Sequence, residues 1–327
     1  MACSCTQSTA LAEQLQENIP NDEILIMPDL ANHNLRGIAL RCVAVVCFAV
    51  MSASMKWASE DGVRGIEMLF YRSVFGLPIV LGWLALGPGI ATIRTRRRGA
   101  HVIRSILGIS GILINFQALI LLPLTNAITI GFTAPIFATI LSAVVLSERV
   151  GGHRWTAVLL GFVGVAIVVR PGGEVLSHAG IAFALLGAVG TAAVTVTLRQ
   201  LGGTEHPGTI VFWFFAASAI VSGCGMIFYG QAHTPATWLL LISGGVFGAI
   251  AQVLMTMSLR AAPVSVISPF DYSQIIWASL LGWIIWSSVP TVNTLLGAML
   301  ISASGLYTAW REHRLRRDTV AATPPLE

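Results

Sequence analysis

The chain has 327 residues, of which 55% are hydrophobic and only 10% charged, with a formal net charge of +4 and a mean hydropathy of +0.78. A soluble domain carries about 25% charged residues, so this composition excludes a soluble globular protein; nor does a basic patch interleaved with aromatic residues support binding to nucleic acid. It fits an all-α polytopic membrane protein, because crossing a hydrocarbon core about 30 Å thick takes roughly 20 apolar residues and stretches of that kind recur along the sequence.

In chain order, residues 1–35 contain Glu13, Glu17, Asp22, Glu23 and Asp29, and lack the basic start and unbroken apolar core of a cleavable signal. They are expected to form a cytoplasmic tail, mostly disordered. Ten spans follow, at roughly 37–57, 66–87, 102–121, 125–146, 154–170, 178–199, 208–229, 236–258, 265–287 and 290–310. Short links such as Leu122 to Leu124 and Ala261 to Val264 force neighbouring helices to lie antiparallel and adjacent. Residues 313–327 form a basic tail.

With the N-terminus inside, 15 of the 19 Lys and Arg fall in cytoplasmic segments, among them Arg41, Arg94, Arg104, Arg149 and Arg260. Outside lie Lys56, Arg64 and Arg170, and Arg72 falls within a span. Positive charge gathers on the cytoplasmic side, so both termini are expected there, in a multi-pass protein of the cell inner membrane.

The layout of Leu122 to Arg170 returns in Pro263 to Arg311, offset by 141 residues, with Gly164 on Gly305 and Arg170 on Arg311. Each half then holds five spans, and an odd number inverts the second half across the bilayer. The expected organisation is two inverted five-helix repeats, 36–171 and 178–312, a pattern associated with secondary transporters. Small residues mark close helix approaches: Gly108 with Gly111, Gly161 with Gly164, Gly187 with Gly190, and Gly244 with Gly248.

Charge within a bilayer is costly and tends to mark function. Arg72, in span 2, offers a guanidinium that either pairs with a carboxylate or binds a substrate oxyanion. Asp271, in span 9, lies in the polar run Asp271-Tyr272-Ser273-Gln274 just after Pro269, and is a candidate partner, cation site or proton-coupling site. Glu67 is read as solvated at the outer interface. Pro135 and Pro269 are read as helix breaks in corresponding spans, and such breaks expose backbone dipoles that can hold a solute. Tyr71, Tyr272, Gln274, Asn115 and Gln252 complete the candidate substrate or coupling set. For Asn115 and Gln252, a hydrogen bond between helices is the competing reading.

Three regions resemble the EamA family of the drug/metabolite transporter superfamily. They are Phe70-Tyr71-Arg72-Ser73; Ala134-Pro135-Ile136-Phe137-Ala138 running to Leu146-Ser147-Glu148-Arg149 with Gly161 and Gly164; and Pro269-Phe270-Asp271-Tyr272 running to Gly282-Trp283, Pro290, Gly297 and Gly305-Leu306-Tyr307. The resemblance implies a ten-helix carrier that moves a small organic metabolite by alternating access. The implied solute is amino-acid-derived or cofactor-like, such as S-adenosylmethionine or riboflavin; a drug or amino-acid exporter of the same fold, a channel and a non-transporting subunit are the alternatives. The sequence departs from the family pattern at Val289, where many members carry a second Glu. A proton or counter-solute is the candidate coupling partner, membrane lipids surround the chain, and the assembly is expected to be a monomer or homodimer.

No enzyme is expected. HExxH and GxSxG are absent, and all seven histidines fall in tails, loops or span ends. No cofactor or metal is expected either, since the five cysteines make no metal-ligand framework.

Overall fold

The structure is a computed structural model that describes residues 21–145, 152–169, 176–202 and 205–321. Leu146 to Arg149 and Arg170, on which part of the sequence reading rests, lie outside them, as do Cys3 and Cys5. The described residues are helical, with no strand among them.

The helices are α1 (Asn21–Glu60), α2 (Gly65–Leu86), α3 (Arg98–Leu121), α4 (Leu124–Gly131), α5 (Ala134–Val145), α6 (Gly152–Val169), α7 (His178–Gly202), α8 (Pro207–Tyr229), α9 (Pro235–Ala261), α10 (Val264–Ile267), α11 (Gln274–Trp286) and α12 (Val292–Ala321). Two 3₁₀ turns, Ile90–Ile93 and Ser268–Ser273, interrupt the series. At both ends helix extends past the expected boundary: α1 reaches back to Asn21 and α12 runs on to Ala321. The residues there include Glu23, Leu25, Leu315 and Arg316, which are good helix formers.

Among the described residues, seven helices are long and apolar enough to cross a membrane: Asn34–Glu60, Gly65–Leu86, Arg98–Leu121, Leu124–Leu141, His178–Leu198, Pro207–Tyr229 and Pro235–Ala261. Trp155–Val169 and Val292–Thr308 are apolar but shorter. The ninth expected span is broken in two. Pro269, second residue of the Ser268–Ser273 turn, cannot donate a backbone hydrogen bond, and regular α-helix resumes only at Gln274. The fourth is split in the same manner, with Phe132 and Thr133 between α4 and α5 and Pro135 the second residue of α5.

α1 packs most extensively on α9, α3 on α7 and α6 on α12; α2 packs on both α8 and α9, and α4 on α11. Glycines set the closest approaches, as the sequence pattern indicates. At the α3–α7 crossing, a Cβ on Gly190 would lie 3.0 Å from Gly111 Cα. At the α6–α12 crossing, a Cβ on Gly297 would lie 2.6 Å from the Gly164 carbonyl oxygen and 2.3 Å from Val168 Cγ2. In lipid such van der Waals contact is a main source of helix association. Gly297→Val is therefore expected to cost about 1–3 kcal/mol through overpacking, read as a lowered thermal unfolding midpoint in detergent. The contrasting variant is Gly82→Ala on α2, where nothing lies within 4 Å of the added methyl. It is expected to be neutral or to stabilise by about 0.5–1 kcal/mol through helix propensity.

Candidate functional site

Asp271 lies on the 3₁₀ turn that breaks the ninth span, and it is bound to α1. Arg41 Nε donates to Asp271 Oδ1 at 2.5 Å, and Arg41 Nη2 donates to Oδ2 at 2.6 Å. This is a two-pronged guanidinium–carboxylate pair, a geometry that Arg alone supplies. Side-chain exposure is 6% for Arg41 and 29% for Asp271. The pair thus bridges the first half of the chain to the second inside the helix bundle. Arg41 counts among the cytoplasmic charges in the sequence; the structure buries it in the body of α1. Its position inside the expected span 37–57 is the sequence signal for that burial.

Arg72, on α2, is elsewhere. It is 3% exposed. Its Nε approaches Met51 Sδ at 3.4 Å, and its Cζ sits 5.2 Å from the centre of the Phe215 ring. Met51 and Arg41 are ten residues apart on α1, about 15 Å at a rise of about 1.5 Å per residue. The structure therefore does not bring Arg72 and Asp271 together. Arg72 Nη1 has no hydrogen-bond partner among the described residues.

A second buried arginine accompanies it. Arg104, on α3, is 7% exposed, with its Cζ 4.5 Å from the centre of the Phe214 ring. Its Nε and Nη1 lack hydrogen-bond partners among the described residues. Arg104 too counts among the cytoplasmic charges in the sequence, yet it falls inside the expected span 102–121 and the structure buries it. A cation over an aromatic face gains about 0.5–2 kcal/mol, whereas desolvating an unpaired ion costs several kcal/mol. Stacking on Phe214 and Phe215 does not offset that cost.

Glu67 is not solvated. It is fully buried: Oε2 accepts from the Arg64 amide at 3.0 Å and Oε1 from the Gln231 amide at 2.9 Å. His233 Nε2 lies 3.4 Å from Oε1. The link between α8 and α9 folds over the first turn of α2, so backbone amides replace water, and the helix N-terminus favours a carboxylate there. Tyr71 belongs to the same end of the bundle, where its ring lies 4.9 Å from Trp238 and 6.1 Å from Phe75.

The other candidate residues divide. Asn115 Nδ2 donates to the Gly111 carbonyl at 2.9 Å, and reaches the Gly187 carbonyl at 3.5 Å and Thr191 Oγ1 at 3.4 Å. Its amide is thus engaged in the α3–α7 crossing. Tyr272 packs its ring 5.0 Å from that of Phe132, which joins the two broken spans, and its hydroxyl occupies the space left by the missing side chain of Gly305. Gln274 opens α11 and Gln252 lies on α9, both partly buried.

Two cavities flank α1. One, of about 650 Å³, is lined by Arg36, Leu40, Trp83, Thr92, His206 and Arg260. The other, of about 300 Å³, includes Lys56, Glu60, Leu122, Thr125, Gly282 and Trp286. Arg72 and Asp271 line neither. In the larger one, His206 Nδ1 accepts from the Gly208 amide at 3.0 Å and caps α8. Burial, then the charge of Arg260, holds its imidazole below the ordinary range, consistent with a neutral acceptor nitrogen. At the smaller one, Lys56 Nζ donates to the Leu119 and Leu122 carbonyls at 3.1 and 2.7 Å, capping the end of α3. Lys56 is thus part of the helix packing. No cluster of His, Cys, Asp and Glu suited to a metal occurs among the described residues.

A model of the EamA-like transporter family matches the chain twice, over residues 35–170 and 178–309. The chain is 27% identical to a riboflavin transporter of Vibrio cholerae serotype O1, over 88% of this chain and 98% of that protein. It is 28% identical to the pseudopaline exporter CntI of Pseudomonas aeruginosa, over 81% of this chain and 93% of the exporter. A crystal structure superposes with a TM-score of 0.62 at 18% identity, covering 85% of this chain and 98% of the other; that likeness shows the fold alone.

Proposed function

The chain belongs to the EamA-like transporter family, and from that premise we propose that it is a secondary carrier of a small organic metabolite working by alternating access. It lies in the cell inner membrane with both termini in the cytoplasm, and its body is two inverted repeats of five crossings, 36–171 and 178–312. The α4–α5 pair and the segment from α10 to α11 each count as one crossing. The observation that carries this reading is the pairing of the helices. Exchanging the two halves carries the α1–α9 contact onto α7–α3, and maps α2–α8, α4–α11 and α6–α12 each onto itself. Halves related in this way can rock against each other about a shared site. The double match to the family model agrees with that division.

In this carrier Arg41–Asp271 is a latch between the halves, and Arg72, Tyr272, Gln274 and Gln252 line the path the solute takes when the latch opens. The relatives named for riboflavin and pseudopaline and the sequence resemblance favour a cofactor-like or amino-acid-derived solute, and the fold serves uptake and export alike. The test is uptake by proteoliposomes of a radiolabelled panel that includes riboflavin, S-adenosylmethionine and amino-acid derivatives. Saturable accumulation of at least one compound is expected. Non-saturating leakage would point to a channel, and no flux of any compound in either direction would remove the carrier reading.

A further inference from the structure

We propose that Arg72 and Arg104 form one oxyanion-binding subsite between α2, α3 and α8, and that the transported solute carries the phosphate or carboxylate that fills it. This deepens the carrier reading and rests on it. The two guanidiniums stand over consecutive rings of α8, Phe215 and Phe214, whose centres are 6.0 Å apart. Because the two rings belong to consecutive residues, the guanidiniums approach the same turn of α8 from α2 and from α3. Both side chains are more than nine-tenths buried, and three of their nitrogens, Arg72 Nη1 and Arg104 Nε and Nη1, lack an acceptor among the described residues.

Three carboxylates held within the fold are committed elsewhere. Asp271 holds Arg41. Glu205, in the link before α8, accepts from Thr95 Oγ1 at 2.8 Å and lies 3.6 Å from His101 Nε2. Glu67 takes backbone amides. Room for the guanidiniums comes from glycines: a Cβ on Gly108 would lie 2.2 Å from Arg104 Nη1, and one on Gly248 would lie 3.4 Å from Arg72 Nε. Buried polar atoms in native proteins are satisfied with few exceptions. Two neighbouring like charges left open on their donor edges therefore point to an anion that arrives from outside the chain. Phosphate and carboxylate match the donor fork of arginine.

The experiment measures binding of inorganic phosphate and of acetate to the purified full chain in nanodiscs of zwitterionic lipid, by equilibrium dialysis at fixed ionic strength. Saturable binding is expected, weakened at least about tenfold in Arg72→Gln and in Arg104→Gln and unchanged in Arg94→Gln, a change at an exposed arginine. Should the glutamine variants fail to fold, Arg104→Lys retains the charge but loses the fork, and the same weakening is expected. Absence of binding to the wild-type chain, or binding unchanged in the Arg72 and Arg104 variants, overturns the subsite. Loss of phosphate and acetate binding when phosphatidylglycerol is added overturns the solute as its source, because a lipid headgroup then fills it. Anion binding without transport of any panel compound would fail the carrier reading and leave the anion site standing, whereas transport without anion binding would do the reverse.

Discussion

Asp271→Asn is expected to lower the stability of the protein more than any other single substitution at the candidate site, and to abolish transport. The substitution leaves the Arg41 guanidinium, 6% exposed, facing a neutral amide inside the bundle. Breaking a buried ion pair from one side costs about 3–5 kcal/mol, since the remaining charge stays desolvated without a partner. The lower part of that range applies, because Asp271 keeps 29% of its side-chain exposure. The unfolding midpoint of the purified protein in detergent should fall accordingly. The double variant Arg41→Met with Asp271→Leu tests the cause. Replacing both partners by apolar groups is commonly neutral or stabilising, so most of the lost stability should return. Transport should not return, because a latch that opens and closes needs a polar pair. Recovery of transport in the double variant would show that the pair only holds α1 to the ninth span. A stability loss in the double variant as large as in Asp271→Asn would show that packing around the 3₁₀ turn, and not charge, is what the single substitution disturbs.

The helices were legible in the sequence wherever apolar length and glycine spacing decide them. Gly111 against Gly190 and Gly164 against Gly297 are small residues whose helices must approach, and periodicity alone identifies most of the residues concerned. The breaks at Pro135 and Pro269 were legible through proline chemistry, and the structure interrupts regular helix beside both. Pairing of charges was not legible. Arg41, Arg104 and Glu67 all lie within a few residues of the end of an expected span, where hydropathy cannot separate a solvated charge from one turned inward. The topology rule counts residues by side and not by depth. Whether such a residue is buried depends on what folds over it: the α8–α9 link over Glu67, Phe214 over Arg104, and the broken ninth span over Arg41. These are contacts between segments far apart in sequence, so a window along the chain does not contain them. For Asn115, a ligand contact competes with a bond between helices, and two acceptors on α7, the Gly187 carbonyl and Thr191 Oγ1, favour the bond.

Arg72→Met is expected to stabilise the protein while removing transport, a combination that distinguishes a functional charge from a structural one. In the protein without solute, Arg72 is a desolvated cation that touches the Met51 sulfur and the Phe215 ring. Methionine keeps much of the side-chain volume and the contact with the ring, and it removes the desolvation cost. Swaps of buried charged groups for apolar ones of similar size have stabilised proteins by about 1–4 kcal/mol, and a raised unfolding midpoint of that order is expected here. Stability withheld at a site that binds is a common compromise in functional proteins. The solute would supply it: a ligand that binds only the folded protein adds about 2.7 kcal/mol when present at about 100 times its dissociation constant. Phosphate should therefore raise the midpoint of the wild-type protein and leave that of Arg72→Met unmoved. If Arg72→Met instead lowers the midpoint as much as Asp271→Asn does, Arg72 is tied into the fold by carbonyl oxygens at the α2–α9 crossing. The open donor edge would then be a feature of packing rather than of recognition.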